Sequence, residues 1–397
     1  MAVALRHFMR CSFALLRSSS ARALLVTAAL GLAPVRSARG ESAISYKYHD
    51  YRESDDRMTV ESHYGMIEAT LGPAMRFRAH GVIDTIAGAT PNGQPPSIPG
   101  GPVPLAHVTD RRKGWSAELA RQFPRVNATV GVANSRESDY VSTGWSLNTV
   151  TDFNQKNTTL LAGVAGTDDD IRVFYQIDWV KKRTTDLIAG VTQLLDPRTS
   201  VTLNIGYGHS AGFHADPYRL IFKRVEIAPG LFLPRTFNEN RPDARDKWTV
   251  FAAFNRAFPA VHGALEASYR WFRDDFGVTA HTAELAWFQK LGERWMLRPA
   301  ARYYDQGEAD FYRLDLNGTS IMPSGRPNPE GPFFSADYRL SALRSHTLGI
   351  KLVWVASETW TLDAAFEHYE MRGKDGVTSP AVYPRAEIVT LGAKFAW

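Results

Sequence analysis

The last eleven residues, from Glu387 to Trp397, most limit what this chain can fold into. Read at a period of two, they separate into an apolar face and a second face of smaller or more polar side chains around Ile388. The apolar face consists of Val389, Leu391, Ala393, Phe395 and Trp397. This alternation predicts a β-strand with one apolar side at the end of the sequence.

The same strand carries a second pattern in its residue spacing. Thr390, Gly392, Phe395 and Trp397 resemble the C-terminal signal by which outer-membrane β-barrels are recognised by the barrel assembly machinery. We interpret these four residues as an assembly signal, which predicts a membrane barrel. An edge strand of a soluble sheet that happens to stop at Trp397 is the alternative.

Residues 1–40 predict export. They contain six arginines and no acidic residue, and their apolar run, 23–33, is too short to span a bilayer as a helix. We predict a signal peptide at 1–40 and an outer-membrane β-barrel domain at 41–397. An uncleaved anchor is the alternative.

Removing that segment changes the charge balance. The whole sequence has 46 basic and 41 acidic residues, and six of the basic ones lie in 1–40. The basic isoelectric point of about 9.2 therefore gives no reason to expect a nucleic-acid partner. The single cysteine, Cys11, also lies in 1–40, so the exported part has no thiolate for a disulfide or a metal site. We predict no cofactor.

The predicted fold is all-β, a transmembrane antiparallel β-barrel of about 16 strands, with 14 as the lower alternative. Segments of about ten residues repeatedly have one apolar and one polar face. The clearest are 201–207, 265–271, 295–303, 347–354 and 360–367. Many carry aromatic residues near their ends, as do the aromatic girdles that meet the two membrane interfaces.

Short turns and long polar loops alternate between these segments. The predicted periplasmic turns are 71–74, 123–126, 153–157, 195–199, 258–262, 291–294 and 356–359. The predicted extracellular loops are 87–112, 166–182, 209–245, 306–334 and 372–385. Segments 87–112 and 209–245 are long enough to fold inward, so we predict that they narrow the lumen.

The polar strand faces give the predicted lumen lining. Its members are Glu266, Arg270, Glu284, Arg298, Arg302, Lys351, Asp363, Glu367 and Lys394. A ring of one charge sign would indicate ion selectivity, whereas this set mixes both signs. The mixture favours a hydrated, salt-bridged lining, and a lumen filled by its own side chains and loops is the structural alternative.

Acidic clusters are the first candidates for further chemistry. Asp55 with Asp56 is a weak candidate for a divalent cation, because carboxylate oxygens suit calcium. The clusters at 168–170 and 274–275 are of the same kind. None has the spacing of a known metal-binding loop, and solvated turn residues are the alternative.

A histidine-serine segment is the second candidate. His209, Ser210, His214 and Asp216 are the residue types of a hydrolase triad. His209 and Ser210 are adjacent on a predicted strand and point to opposite faces, so they cannot readily pair. We therefore predict no enzyme, with a barrel hydrolase as the least favoured function.

Nine short motifs spread over 41–397 resemble the domain of unknown function 3570 family. They are Glu53–Arg57, Asp84–Pro91, Glu137–Tyr140, Asp152–Thr159, Asp216–Tyr218, Arg241–Arg245, Arg302–Gln306, Ala309–Tyr312 and Ser335–Ser341. The resemblance implies a Gram-negative outer-membrane barrel without an established activity. The resemblance also implies genes near those of flavin transferases and thioredoxin-like proteins, so a redox-related envelope partner is conceivable.

The predicted function is a porin-like channel or transporter of the bacterial outer membrane, with a partly constricted polar lumen. A structural barrel that holds an envelope partner is the alternative. The predicted partners are outer-membrane lipids, the barrel assembly machinery and a periplasmic or envelope protein.

Overall fold

The computed structural model of the protein describes residues 42–98 and 101–397. The signal peptide predicted at 1–40 lies outside the described residues. Within them, sixteen antiparallel strands close into one barrel, which confirms the predicted fold class and the higher strand count.

The barrel strands follow one another in chain order, and two further strands form a separate hairpin. The barrel strands are β1 (Ala43–Glu53), β2 (Met58–Thr70), β3 (Met75–Pro91), β4 (Leu105–Gln122), β5 (Val126–Arg136), β6 (Tyr140–Phe153), β7 (Thr158–Ile171), β8 (Val180–Asp196), β9 (Thr199–Gly212), β12 (Ala244–Phe258), β13 (Gly263–Asp274), β14 (Thr279–Leu291), β15 (Trp295–Gln306), β16 (Leu343–Val355), β17 (Trp360–Gly373) and β18 (Arg385–Ala396). The hairpin consists of β10 (Leu220–Ala228) and β11 (Leu231–Asn238).

Helical structure in the described residues is limited to short 3-10 turns. They lie at Asn154–Lys156, Pro259–Val261, Tyr338–Leu340 and Pro380–Val382. No helix of the described residues is long and apolar enough to cross a membrane.

The last strand closes the barrel against the first. β18 pairs with β1 along its whole length, with Lys47 opposite Gly392. Beyond the ladder, the Trp397 N–H donates to the Ser42 carbonyl at 2.9 Å. Closure leaves no free sheet edge, so the backbone groups of the wall are satisfied without water.

The two faces of the wall differ as the alternation predicts. Leu285 and Leu348 flank Ala301 on one face of β14–β16, and the two leucines are 52% and 57% exposed. Their neighbours Glu284 and Arg302 lie opposite each other on the inner face. A continuous exposed apolar belt is unfavourable in water and favourable against lipid, so this is a membrane-spanning barrel.

The two rims of the barrel also differ. All seven predicted short turns are found, and they share one rim, the turn end, with Ser42 and Trp397. The longer connections lie at the other rim, the loop end. There the predicted loop 87–112 is wrong in extent, because β3 and β4 stay paired out to Pro91 and Leu105 and leave a loop of 92–104. The continued pairing of β3 with β4 provides hydrogen-bond partners for backbone N–H and C=O groups, even next to a segment that is rich in Gly and Pro.

Candidate functional site: a plug above a polar lumen

The nine predicted lumen residues lie on one face of β13–β18, the inner face. Arg298 lies 3.7 Å from Glu266 and 3.4 Å from Glu284, and Lys351 lies 3.0 Å from Asp363. The other four members, Arg270, Arg302, Glu367 and Lys394, are on the same face. Both charge signs therefore line this side of the lumen.

On β18, β2 and β3, exposure of the inner face falls from the turn end to the loop end, whereas Ala264 and Glu266 of β13 are only 6% and 9% exposed near the turn end. Near the turn end Lys394 is exposed, and Asp363 is partly exposed. Near the loop end Ser62, Asp84 and Asp169 are 1%, 0% and 2% exposed. The lumen is therefore covered at the loop end and has a polar vestibule that is accessible at the turn end beside β18, β2 and β3.

Two long connections form the cover, and we call them together the plug: 213–243, which contains the β10–β11 hairpin, and 307–342. Asn240 and Phe334 exchange backbone hydrogen bonds of 3.0 and 2.8 Å. Ile221, Leu316 and Phe334 form a buried core between the two segments. Inward folding was predicted for 209–245, whereas the contribution of 307–342 was not.

The plug is attached to the wall by hydrogen bonds on several sides, among them Phe213 N–H to the Lys181 carbonyl and Gly307 N–H to the Thr279 carbonyl, both at 2.9 Å. The Arg219 guanidinium donates to the Thr90 hydroxyl of β3 at 3.1 Å. On the other side, the Gln306 side-chain amide of β15 donates to the carbonyls of Arg339 and Ser341 at 2.9 and 2.8 Å. These contacts reach walls on both sides, so the plug crosses the lumen.

A six-charge network lies inside the plug. Its members are Asp216, Arg219, Glu239, Arg241, Asp337 and Arg339, three acids and three bases. Arg241 donates to Asp337 at 2.8 Å, and Arg339 donates to Asp216 at 2.7 Å. Five of the six residues are buried, and Arg339 retains 13% side-chain exposure.

The acids of this network differ in how easily they take up a proton. Burial works to raise the pKa of Asp337, but Arg339, Arg219 and Arg241 together hold it below its usual range. Burial raises the pKa of Glu239 in spite of its contact with Arg241. Asp337 is therefore firmly ionised, and Glu239 takes up a proton more readily.

The motifs that carried the family resemblance contribute most of this network. Asp216 belongs to the motif 216–218, Arg241 to 241–245, and Asp337 with Arg339 to 335–341. These residues lie in motifs far apart in the sequence, so the motifs alone do not predict that they meet. Asp216 was considered as a hydrolase residue, whereas its carboxylate accepts from Arg339.

The candidate hydrolase residues do not form one site, because His209 lies on the outer face and the others lie on the inner side. Ser210 Oγ lies 2.8 Å from His214 Nε2, but His214 Nδ1 contacts the Gly212 carbonyl at 2.8 Å. His209 is on the outer face and contacts Asp246 at 2.7 Å. Burial, with Lys182 nearby, lowers the pKa of His214 to about 3. Ser210 is only 4% exposed, so a substrate has no access to its hydroxyl in this conformation.

The candidate metal ligands are exposed. Asp55 and Asp56 form the tip of the β1–β2 turn, with positive φ angles of 62° and 50°. The other two acidic clusters have protein partners, since Asp169 lies 3.1 Å from Lys182 and Asp274 is paired with Arg245.

A different acidic group converges at the loop end. Ligand atoms of Asp110, Glu137 and Asp139 lie within 4.8 Å of one another. The Tyr218 hydroxyl of the plug donates to Asp139 at 2.6 Å. This is the place on the described wall where carboxylates could share a cation.

The predicted assembly residues lie on both faces of β18. Thr390 faces inward, where its hydroxyl lies 3.0 Å from His49 Nδ1, and Gly392 is beside Asp363. The rings of Phe395 and Trp397 stack with centroids 5.8 Å apart. Their role in assembly stays a prediction.

A closed antiparallel barrel with an apolar outer belt and a polar inner face defines a transmembrane β-barrel protein. The family described as "Protein of unknown function (DUF3570)" matches residues 14–180 and 175–395, so the chain belongs to that family. No curated protein matches the sequence.

Solved structures with a similar backbone path include a siderophore receptor, CdiB and an outer-membrane secretin. The siderophore receptor PirA from Pseudomonas aeruginosa is 11% identical with a TM-score of 0.42, over 91% of this chain and 62% of that one. CdiB from Acinetobacter baumannii is 8% identical with a TM-score of 0.49, over 91% and 61%. A bacterial polysaccharide outer membrane secretin is 8% identical with a TM-score of 0.48, over 90% and 98%.

Proposed function

We propose that this protein is an outer-membrane channel for small polar solutes, closed at its extracellular end by the plug. The observation that supports this most is the change in exposure along the inner face, from Lys394 at the open end to Asp84 beneath the plug. Placing the short turns, Ser42 and Trp397 on the periplasmic side follows the usual orientation of such barrels.

The size and lining of the barrel suit a solute pathway. Barrels of about 16 strands are wide enough to enclose an aqueous channel when loops do not fill them. A barrel with a purely structural role could fill this space with apolar side chains. Here Arg298, Lys351 and Asp363 remain partly exposed within it. Because both signs are present, we expect weak charge selectivity.

The construction of the plug suits a movable closure. Burying six charges carries a desolvation cost that ion pairing only partly offsets, so such a network adds little stability relative to apolar packing. Its groups come from two loops, outside the ladder of the barrel. When such a plug opens, its charged groups can replace their ion pairs with hydrogen bonds to water. Loops that order and disorder in other proteins switch between two states in a comparable way.

Planar-bilayer conductance of the refolded barrel tests this proposal. Ala211 lies opposite Ala244, and Gln306 lies opposite Leu343, so removal of 214–242 or 308–341 leaves strands that a short turn can join. The matched control removes 94–103 from the β3–β4 loop. The hydrogen bond from Asn92 N–H to the Pro104 carbonyl, at the base of this loop, lies outside the deletion.

We expect low conductance from the intact barrel and from the control, and steady conductance from each plug deletion. Heat-modifiable migration on gels verifies that every variant is folded. Silence of both folded plug deletions would refute a channel.

The second candidate function is a scaffold that holds an envelope partner. The vestibule favours it because the vestibule opens at the turn end alone, where a periplasmic protein could bind. A photo-crosslinking residue at position 394 faces this vestibule, and one at position 391 faces lipid. A scaffold predicts a periplasmic protein crosslinked from position 394 and not from 391. A channel predicts none from either.

A further inference from the structure

Two cations on the outer wall stand directly opposite each other without a balancing acid. Lys113 of β4 pairs with Arg136 of β5 in the register, and both side chains are exposed. Like charges in directly opposed positions destabilise an antiparallel pair. Among the described residues, neither group forms an ion pair, and the same holds for Arg111, two positions further toward the loop end on the same face.

On the β7–β8 pair, cations at this rim are neutralised by acids of the wall. On β7 and β8, Arg183 lies 2.8 Å from Asp168, and Lys181 lies 4.0 Å from Asp170. These are also cross-strand neighbours. The β4–β5 position differs from β7–β8 because neither Lys113 nor Arg136 has an acid opposite it.

An apolar groove begins at Lys113 and runs into the outer belt. Gly65 and Gly81, opposite each other on β2 and β3, form part of its lining, together with Tyr46 and Ile83. The groove has a volume of about 430 Å³. A Cβ atom placed on either glycine would meet nothing within 4 Å, so internal packing does not require these glycines.

The two features together complement one kind of molecule. The cations lie at the loop-end limit of the belt, where the next outward residues of β1 and β2 are Asp50 and Glu61. Lysine and arginine favour phosphate oxygens, and arginine does so with two parallel hydrogen bonds. The groove below them offers apolar surface at the depth of acyl chains.

We propose that this face binds a phosphorylated, acylated lipid of the outer leaflet. Lys113 and Arg136 hold its phosphate, and an acyl chain lies over Gly65 and Gly81. The site goes beyond the proposed channel and does not depend on conduction. It depends only on the barrel being inserted with its loop end outward.

Native mass spectrometry of the folded barrel in detergent, titrated with purified lipid A, tests this site. The charge variant is Lys113→Gln with Arg136→Gln. The groove variant is Gly65→Leu with Gly81→Leu, which the open space tolerates. The control variant, Arg125→Gln with Lys156→Gln, removes two exposed cations at the turn end and gives the same change in net charge.

We expect the intact barrel and the control to retain one lipid A, and each site variant to bind at least about tenfold more weakly. Diacylglycerol and inorganic phosphate are the comparison ligands. Wild-type affinity in both folded site variants overturns the proposal. So does diacylglycerol binding as tightly as lipid A, or displacement of lipid A by an equal concentration of phosphate.

Discussion

Arg241 donates a hydrogen bond of 2.8 Å to Asp337, a residue 96 positions later in the chain. Both side chains are buried, so this contact joins the two halves of the plug in a place that water does not reach. The closed state of the lumen therefore depends on residues from two loops at once.

Substitution of Asp337 should open the plug. Asp337→Asn leaves Arg241 and Arg339 without their shared carboxylate, and breaking a buried pair in this way costs about 3–5 kcal/mol. We expect higher conductance and faster proteolysis within 213–243. The control is Asp168→Asn, which removes an exposed partner of Arg183 and should cost at most about 1 kcal/mol. Identical behaviour of the two variants would contradict a role of the network in closure.

Charge substitutions in the lumen should change selectivity with a defined sign. In a barrel that lacks the plug, Glu266→Gln with Glu284→Gln leaves Arg298 unbalanced, so the pore should favour anions more strongly. Lys351→Gln should move it toward cations, because Asp363 then loses its partner. Reversal potentials in a potassium chloride gradient measure both. A shift of the same sign in the two variants would argue against these residues facing the ion pathway.

Acid should loosen the plug through His214. Its pKa is about 3 in the closed state and about 6.5 in an unfolded or opened loop, so the opened state binds more protons between these values. The stability of the closed state therefore falls as the pH falls from 6.5 toward 3. Glu239, with its raised pKa, acts in the opposite direction.

Protease sensitivity of 213–243 at pH 7 and pH 5 measures this effect. We expect a larger increase on acidification in the intact protein than in His214→Asn. His262→Asn, in a turn at the opposite rim, is the control and should behave as the intact protein. Equal acid sensitivity in all three proteins would show that another group is responsible.

Removal of Phe395 to Trp397 should prevent insertion into the outer membrane. The deletion removes the Phe395 ring that packs 5.1 Å from Trp360, and the hydrogen bond from Trp397 to Ser42. Fractionation and heat-modifiable migration should locate the intact protein in the outer membrane and show degradation of the shortened one. Trp354→Leu, which disturbs the stacked pair with Trp295 without changing the terminus, is the control and should still insert.

The wall could be predicted from the sequence because its signals are local. Alternation within 265–271 or 347–354 places each side chain on a face without knowledge of any other strand. The seven short turns were found for the same reason. The extent of 92–104 was missed because β3 and β4 stabilise each other's ends, and this depends on pairing rather than on composition.

The plug could be predicted only in part, because its contacts are remote in sequence. Asp216 and Arg339 are 123 positions apart, and each looks in isolation like a solvated loop charge. The β10–β11 hairpin was missed although Pro229-Gly230 is a turn signal between apolar segments. Its base is fixed by Lys223, which donates to the carbonyls of Thr319 and Ile321 in the other loop.

The balance of three acids and three bases in the plug has an electrical consequence. A single uncompensated charge gains about 2.3 kcal/mol for each 100 mV that it crosses, whereas a neutral set of six experiences no net force in a uniform field. With all six groups ionised, a voltage across the membrane therefore exerts no net pull on this network as a unit. In the proposed channel, its release depends instead on molecules or ions that compete for its hydrogen bonds.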